Sequence, residues 1–193
     1  MNEFRNFRLI NKNEKILIYK TLSEISLKIK TVLERDGYQL FISIKNSINI
    51  NKFPSIFLIP RNLTQELNKL KSKFDIITAG LYFGFIKKDM FMLSLEAIEF
   101  LNNKGCFSEK QALYVTEKGE KSVLYGNQIL KKMISKIPEG MKRNDFILIF
   151  NQEKELISIA KSEASYSSFQ NLKANDIVAS NLVDKGIYLR TKQ

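Results

Sequence analysis

The stretch Asp145–Phe150 reads DFILIF, five consecutive apolar side chains entered from a polar loop. A run of that length is too short for a helix of its own. Its β-branched and aromatic residues suit a strand covered on both faces. The neighbouring segments have the same scale. Leu113–Thr116, the extended Lys136–Pro138, Leu156–Lys161 with Ile157 and Ile159 on one face, Ile177–Asn181 and Gly186–Arg190 all read as short strands. One helix interrupts them, from Glu120 to about Lys132, and contains the tight Tyr125-Gly126-Asn127 step. The Ser-rich stretch 162–168 reads as a loop. Many short strands with turn signals and one early helix predict a small β-barrel over residues 108–193.

Residues 1–107 have a different texture. From Asn13 to about Arg35, Ile18, Leu22, Ile25, Ile29 and Val32 recur at steps of four and three, the apolar stripe of a helix that Asp36-Gly37 ends. Tyr38–Lys45 and Ser55–Ile59 read as strands, the second closed by Pro60. Asn62 is placed to cap a helix over residues 63–73, with Leu63, Leu67 and Leu70 on one side. Asp75–Ala79, Leu81–Ile86 and Phe91–Leu95 then read as a β-meander, and Ser94 as the cap of a closing helix over residues 95–103. The expected fold class is α+β. An N-terminal α/β domain, residues 1–107, carries an antiparallel sheet flanked by helices, and the barrel domain, residues 108–193, follows it.

The composition narrows the chemistry. There is no histidine and one cysteine, Cys106. The commonest general base and metal ligand are therefore missing. An intramolecular disulfide is impossible, and the usual Cys/His zinc site cannot be assembled. Cys106 reads as a small apolar residue. No Walker-type glycine loop and no G-x-G-x-x-G occurs. Gly80-Leu-Tyr-Phe-Gly84 is apolar between its glycines and reads as a bend between strands. Glu96 and Glu99 read as a solvated face beside Lys104. These absences predict a non-enzyme with no metal and no cofactor. No run of 18 apolar residues exists, and the opening MNEFRNFRLI has no signal-peptide core, so a soluble, cytoplasmic protein without membrane association is expected.

Charge points the other way, toward a partner. The chain has 31 Lys and Arg against 20 Asp and Glu, a net of +11 spread over both halves. Folded surfaces of that sign favour polyanions. In the barrel half, Lys131, Lys132 and Lys136 flank the end of the helix. Lys142 and Arg143 sit in the loop before DFILIF, Lys161 ends the alternating strand, and Lys173 follows the Ser-rich loop. Gathered on one side of a small barrel, these charges would form a phosphate-binding surface.

Two segments carry a resemblance. VTEKGEKSV followed by LYGNQIL (Val115–Leu130) resembles the first helix of PUA domains, with Lys118, Gly119 and Glu120 in the place of a Gly-Ala-Glu step. TAGLYFGFIKKDMFMLSLEAIEFL (Thr78–Leu101) resembles an Ala-Gly-x-Tyr-Phe-Gly segment followed by Leu-Ser-Leu-Glu. Together, in this order and spacing, they resemble the Nip-seven ribosome-assembly factors, archaeal type, over nearly the whole chain. The resemblance implies an N-terminal α/β domain and a C-terminal PUA barrel. It implies RNA, in particular large-subunit ribosomal RNA or its precursor, and ribosome-assembly proteins as partners of a monomer without catalysis. It points to Lys118, Lys121, Tyr125, Asn127, Lys131, Lys132, Lys136 and Lys161 as RNA contacts. The sequence departs from the PUA pattern in two places. Met133 and Ser135 stand where a glycine commonly follows the first helix, and Leu156–Ala160 has no Gly-x-Gly.

Two other functions stay open on the residues themselves. A PUA-bearing accessory of an RNA-modifying enzyme would need a catalytic Asp or Cys in the first half, where Asp36 and Asp75 read as turn or strand-start residues. A protein-interaction adaptor would present the apolar, aromatic segment Leu81–Leu95 to its partner.

Overall fold

The computed structural model describes residues 7–44 and 53–190. The chain divides into two compact units, residues 1–106 and 107–193. In the first, the order is β1 (Phe7–Leu9), α1 (Lys12–Ile25), α2 (Lys28–Arg35), β2 (Tyr38–Ser43), β3 (Ser55–Pro60), α3 (Thr64–Lys71), β4 (Leu81–Lys87), β5 (Met90–Leu93) and α4 (Leu95–Asn103). The five strands lie side by side in sequence order, all antiparallel. Alternation puts Phe7, Phe41, Phe57 and Ile59 on one face, packed against Leu67 of α3. Leu40, Ile42, Ile56 and Leu58 alternate onto the other face and are equally buried. Helices α1, α2 and α4 pack on the sheet at β5, β2 and β4.

The apolar stripe from Ile18 to Val32 is buried throughout, but two helices carry it. Ser26 swings to an extended conformation (φ −163°, ψ 126°), and its hydroxyl donates to the Cys106 carbonyl at 2.6 Å. The second helix restarts in register with the first, so the stripe hides the break. Asn62 does not cap a helix. It lies in a 3₁₀ turn, Arg61–Leu63, behind Pro60, and α3 starts at Thr64 without a side-chain cap. Asp75–Ala79 is not a strand either. It is a strap whose Ile76 and Ala79 pack on the phenylalanine cluster, and whose Ile77 carbonyl accepts from Ser43 Oγ at 3.1 Å. Ser94 does cap α4, its Oγ accepting from Ala97 N–H at 3.1 Å. Lys45, the expected end of the strand read from Tyr38, lies outside the described residues.

Segment Leu81–Leu95 is partly core. Phe83, Phe91, Leu93 and Leu95 are buried, while Lys87 to Met90 are exposed. The open apolar side chains of this unit include Leu63, Leu70 and Phe74, on and just beyond α3. Cys106 is buried, and desolvation pushes its thiol up. Asp36 is paired with Arg35 at 2.7 Å and with Lys104 at 2.9 Å, and hydrogen bonds from both hold its carboxyl below the usual range.

The second unit runs β6 (Ala112–Val115), α5 (Glu117–Leu124), β7 (Ile129–Leu130), β8 (Ile134–Lys136), β9 (Phe146–Phe150), β10 (Leu156–Ser162), α6 (Tyr166–Phe169), β11 (Ile177–Asp184) and α7 (Ile187–Arg190). Its six-stranded sheet has the order β7-β11-β10-β9-β6-β8 and curls into a nearly closed barrel. Only the β6–β9 pair is parallel. The strand read from DFILIF is β9. Ile147 and Ile149 enter a core shared with Leu113, Val115, Val123, Ile129, Ile157 and Val178. Phe150, on the opposite face, stacks on Tyr114 at 5.5 Å. Both faces are covered, so polar alternation is absent.

Three local expectations fail in this unit. The helix begins at Glu117, where Thr116 Oγ1 caps Gly119 N–H at 3.1 Å, and it ends at Leu124. Gly126 (φ +84°) stops it by taking the left-handed conformation. Its N–H donates to Val123 O at 2.8 Å and that of Asn127 to Ser122 O at 3.2 Å, which satisfies the last free carbonyls. Residues 131–133 are then a separate 3₁₀ turn. Gly186–Arg190 gives a helical turn, α7, rather than a strand. The Ser-rich loop contains α6, capped by Ser165.

Candidate nucleic-acid interface

Two loops of the barrel repeat one construction. Lys142-Arg143-Asn144-Asp145 precedes β9, and Lys173-Ala174-Asn175-Asp176 precedes β11. In each, the aspartate Oδ2 accepts from the lysine's backbone N–H at 2.7 Å, and the aspartate N–H returns to the lysine carbonyl. An aspartate placed this way closes a turn. Its charge is directed to the main chain, away from the lysine ammonium.

The strand register brings the two turns to one end of the barrel. Ser162, the last residue of β10, pairs with Ala179 near the start of β11, and Lys161 lies opposite both Ser180 and Phe146. Ile177 pairs with Leu130, which leads directly to Lys131 and Lys132. Lys131, Lys132, Lys142, Arg143, Lys161 and Lys173 therefore share this end. Lys132, Lys142, Arg143 and Lys173 are exposed and Lys161 is half-buried. Besides the two turn aspartates, Glu163 is a nearby counter-charge. It sits 3.8 Å from Arg143 and accepts from Ser180 Oγ at 2.8 Å. An exposed pair that long is weak.

Lys131 differs from the rest. Its ammonium donates to the carbonyls of Gln170 at 2.9 Å and Leu172 at 2.6 Å, and lies 5.3 Å from the centre of the Phe169 ring. It fastens the loop that carries Lys173. Lys132 reaches only Asn175 Oδ1, at 2.8 Å, and stays in solvent.

The other expected contacts lie elsewhere on the unit. Lys118 and Lys121 are on α5, where Lys121 pairs with Glu117 at 2.9 Å. Hydrogen bonding to that carboxylate raises its ammonium pKa. Lys136 is on the edge strand β8, 5.8 Å over the Tyr114 ring. Tyr125 and Asn127 lie near the far end of β11. Asn127 Nδ2 donates to Ser122 Oγ at 3.2 Å, and its carbonyl accepts from Asn181 Nδ2. Tyr125 is 74% exposed on a turn held from beneath. There Arg190 donates to the Leu124 carbonyl and grips Asp184 with two bonds of 2.9 Å. A Cβ on Gly126 would meet the Arg190 guanidinium at 3.0 Å. The Leu-Tyr-Gly-Asn step is thus fixed by packing and hydrogen bonding, with Tyr125 carried on it.

The position where PUA domains commonly have glycine also has a physical account. The Met133 carbonyl accepts from Thr116 N–H at 2.8 Å, so the 131–133 turn lies hard against α5. A Cβ at Gly119 would stand 2.5 Å from that carbonyl. The glycine that allows the close approach is on the helix, and Met133 occupies the other side. Among the described residues no cluster of three or more potential metal ligands occurs, and no helix is long and apolar enough to cross a membrane.

A small mixed barrel with one early helix against the turn that follows it, preceded in the sequence by a five-stranded antiparallel unit, is the PUA type of fold. Residues 111–193 match the model of the UPF0113 PUA domain. The chain is 25% identical over 117 residues to the "60S ribosome subunit biogenesis protein nip7" of Schizosaccharomyces pombe, covering 60% of this chain and 63% of that protein, less than two thirds of its length. It is 22% identical to "60S ribosome subunit biogenesis protein NIP7" of Saccharomyces cerevisiae, over 83% of this chain and 91% of that one. A solved PUA domain protein from Thermoplasma acidophilum superposes with a TM-score of 0.58 at 14% identity, over 96% of this chain and 98% of that one, which establishes likeness of fold.

The repeated Lys-x-Asn-Asp was present in the sequence as a pattern, and its role as paired turns escaped the reading by composition. The clamp of Asn181, Asp184 and Arg190 had no such signal. Its members meet Val123 and Leu124 across more than fifty residues.

Proposed function

We propose that this protein is a non-catalytic RNA-binding factor in the assembly of the large ribosomal subunit. In this reading it holds large-subunit ribosomal RNA or its precursor, as a monomer among other assembly proteins in the cytoplasm. The observation that carries the reading is the pair of Lys-x-Asn-Asp turns beside Lys132 at one end of the PUA barrel. There Lys142, Arg143 and Lys173 are exposed and Lys161 is half-buried, the two turn aspartates accept main-chain N–H bonds, and Glu163 lies 3.8 Å from Arg143. Such a surface fits a sugar-phosphate chain. The names of the yeast relatives supply the process. The test is a titration of large-subunit ribosomal RNA fragments at several salt concentrations. The double variant Lys142→Glu with Lys173→Glu should weaken binding and flatten the salt slope by about 0.7 per lost phosphate contact on single strands. Unchanged affinity and slope would refute the placement.

The adaptor function has one supporting observation of its own. Leu63, Leu70 and Phe74 are open to solvent in the first unit. Partners that stay bound to the full chain after ribonuclease treatment, and are lost in Phe74→Ser, would support that reading.

A further inference from the structure

A groove of about 950 Å³ runs along the edge strand β8 of the barrel unit, lined among others by Lys110, Tyr114, Lys136, Glu139, Lys154 and Tyr166. Its size lies within the range of small-molecule sites. None of its lining residues belongs to the two basic turns. Two aromatic rings reach it with fixed backbones. Tyr114 is in β6 and stacks on Phe150, with Lys136 over its ring. Tyr166, 44% exposed, has its N–H tied to the Met141 carbonyl at 2.7 Å.

Lys154 supplies a second kind of observation. It sits at φ +63°, in the left-handed region that favours glycine. The turn around it is closely held. Asn151 exchanges backbone bonds with Glu155 and Lys154, and its Oδ1 accepts from Glu155 N–H at 2.8 Å. Lys154 lies in the short loop that joins β9 to β10, where a left-handed residue closes the hairpin. Here it holds an ammonium at the rim of the groove.

We propose that this groove seats one unpaired nucleotide of an RNA strand, the base against the exposed ring of Tyr166 and the phosphates beside it against Lys110, Lys136 and Lys154. The inference rests on the RNA-binding reading above and adds a site to it. The acidic residues in the groove, Glu139 among them, favour a nucleotide over a bare polyanion. Carboxylates accept hydrogen bonds only, and a nucleobase offers N–H donors on its edge. Aromatic faces with interleaved lysines are the usual platform for unpaired bases.

The experiment uses the full chain and fluorescence anisotropy with two probes, a labelled ten-nucleotide single-stranded RNA and a labelled blunt RNA duplex. Tyr166→Ala should weaken the single strand roughly tenfold and leave the duplex unchanged. Lys154→Gly should weaken the single strand severalfold while its melting temperature holds or rises, because glycine suits that backbone. A purely structural Lys154 would not separate the two readouts. Single-strand affinity unchanged in both variants, or an equal loss on the duplex, overturns the groove. If Lys142→Glu with Lys173→Glu weakens both probes while the groove variants bind normally, the groove alone is lost. If the unaltered protein binds neither probe, the RNA-binding reading falls and the groove with it.

Discussion

Gly119→Ala reverses the usual sign of a glycine-to-alanine change in a helix. In an open helix interior, alanine is worth up to about 1 kcal/mol over glycine. At Gly119 the added methyl would lie 2.5 Å from the Met133 carbonyl oxygen, 2.9 Å from Met133 Cβ and 3.1 Å from Val115 Cβ. The nearest of these is backbone, so the 131–133 turn must shift. Overpacking of this kind costs about 1–3 kcal/mol. Movement of the turn also breaks the 2.8 Å bond from Thr116 N–H to Met133 O, which costs about 1–3 kcal/mol where the donor is left without water. Against the helical gain, the net is a loss of about 3 kcal/mol, or roughly 12–24 °C in the melting temperature of a unit this size. The two units can unfold separately, so the assay is a urea titration of the full chain followed by hydrogen exchange on peptides spanning residues 112–136. Loss of protection at Thr116 should appear first. A stabilised Gly119→Ala protein would refute the close packing of α5 on the turn, and with it the account of why Met133 replaces a glycine there.

Lys131→Ala should destabilise the barrel unit by about 1.5–3 kcal/mol, because two carbonyls lose a charged donor, whereas Lys132→Glu should leave stability within about 0.5 kcal/mol and weaken RNA binding in a filter assay. In the first unit, hydrogen bonding from Arg8 holds the Glu14 carboxyl below its ordinary value. The resulting stabilisation is complete above the unfolded carboxyl's pKa and is lost as pH falls through the depressed folded value, so Glu14→Gln should flatten the acid limb of that unit's stability curve in pH-dependent denaturation. Gly126→Ala should cost more than Gly140→Ala, since both glycines have positive φ but only Gly126 lies against the Arg190 guanidinium; equal melting temperatures would remove that contact from the account.

The parts of the fold that were legible are those where one residue type answers one local demand. Ser94 faces an unsatisfied N–H at the start of α4, and its hydroxyl is the group that satisfies it. DFILIF lacks alternation because both of its faces are covered. The misreadings occurred where two local signals compete and tertiary contact chooses between them. Ile18 to Val32 keeps helical phase across Ser26, and only the hydroxyl bond to Cys106, eighty residues away, accounts for the break. Tyr125-Gly126-Asn127 was seen as a tight step inside a helix. The left-handed Gly126 makes it the end of one, as the Arg190 clamp beneath the turn requires.

The lysines were legible as charges and illegible as neighbours, for a reason that lies in antiparallel pairing. Lys132, Lys142 and Lys173 are far apart in sequence. They meet because β7, β9, β10 and β11 present their ends at one rim, and that register is set by the apolar pattern inside the barrel. A one-residue slip of β11 would turn Val178 out of the core and move Lys173 away from Lys132 together. The basic rim and the barrel core are therefore one specification, with the core fixing the register and the two aspartates fixing the turns. Asp176→Ala should then disperse the charge without touching a single lysine. A weaker, less salt-dependent RNA interaction at unchanged net basic side chains would show that placement of the lysines, and not their number, carries the binding.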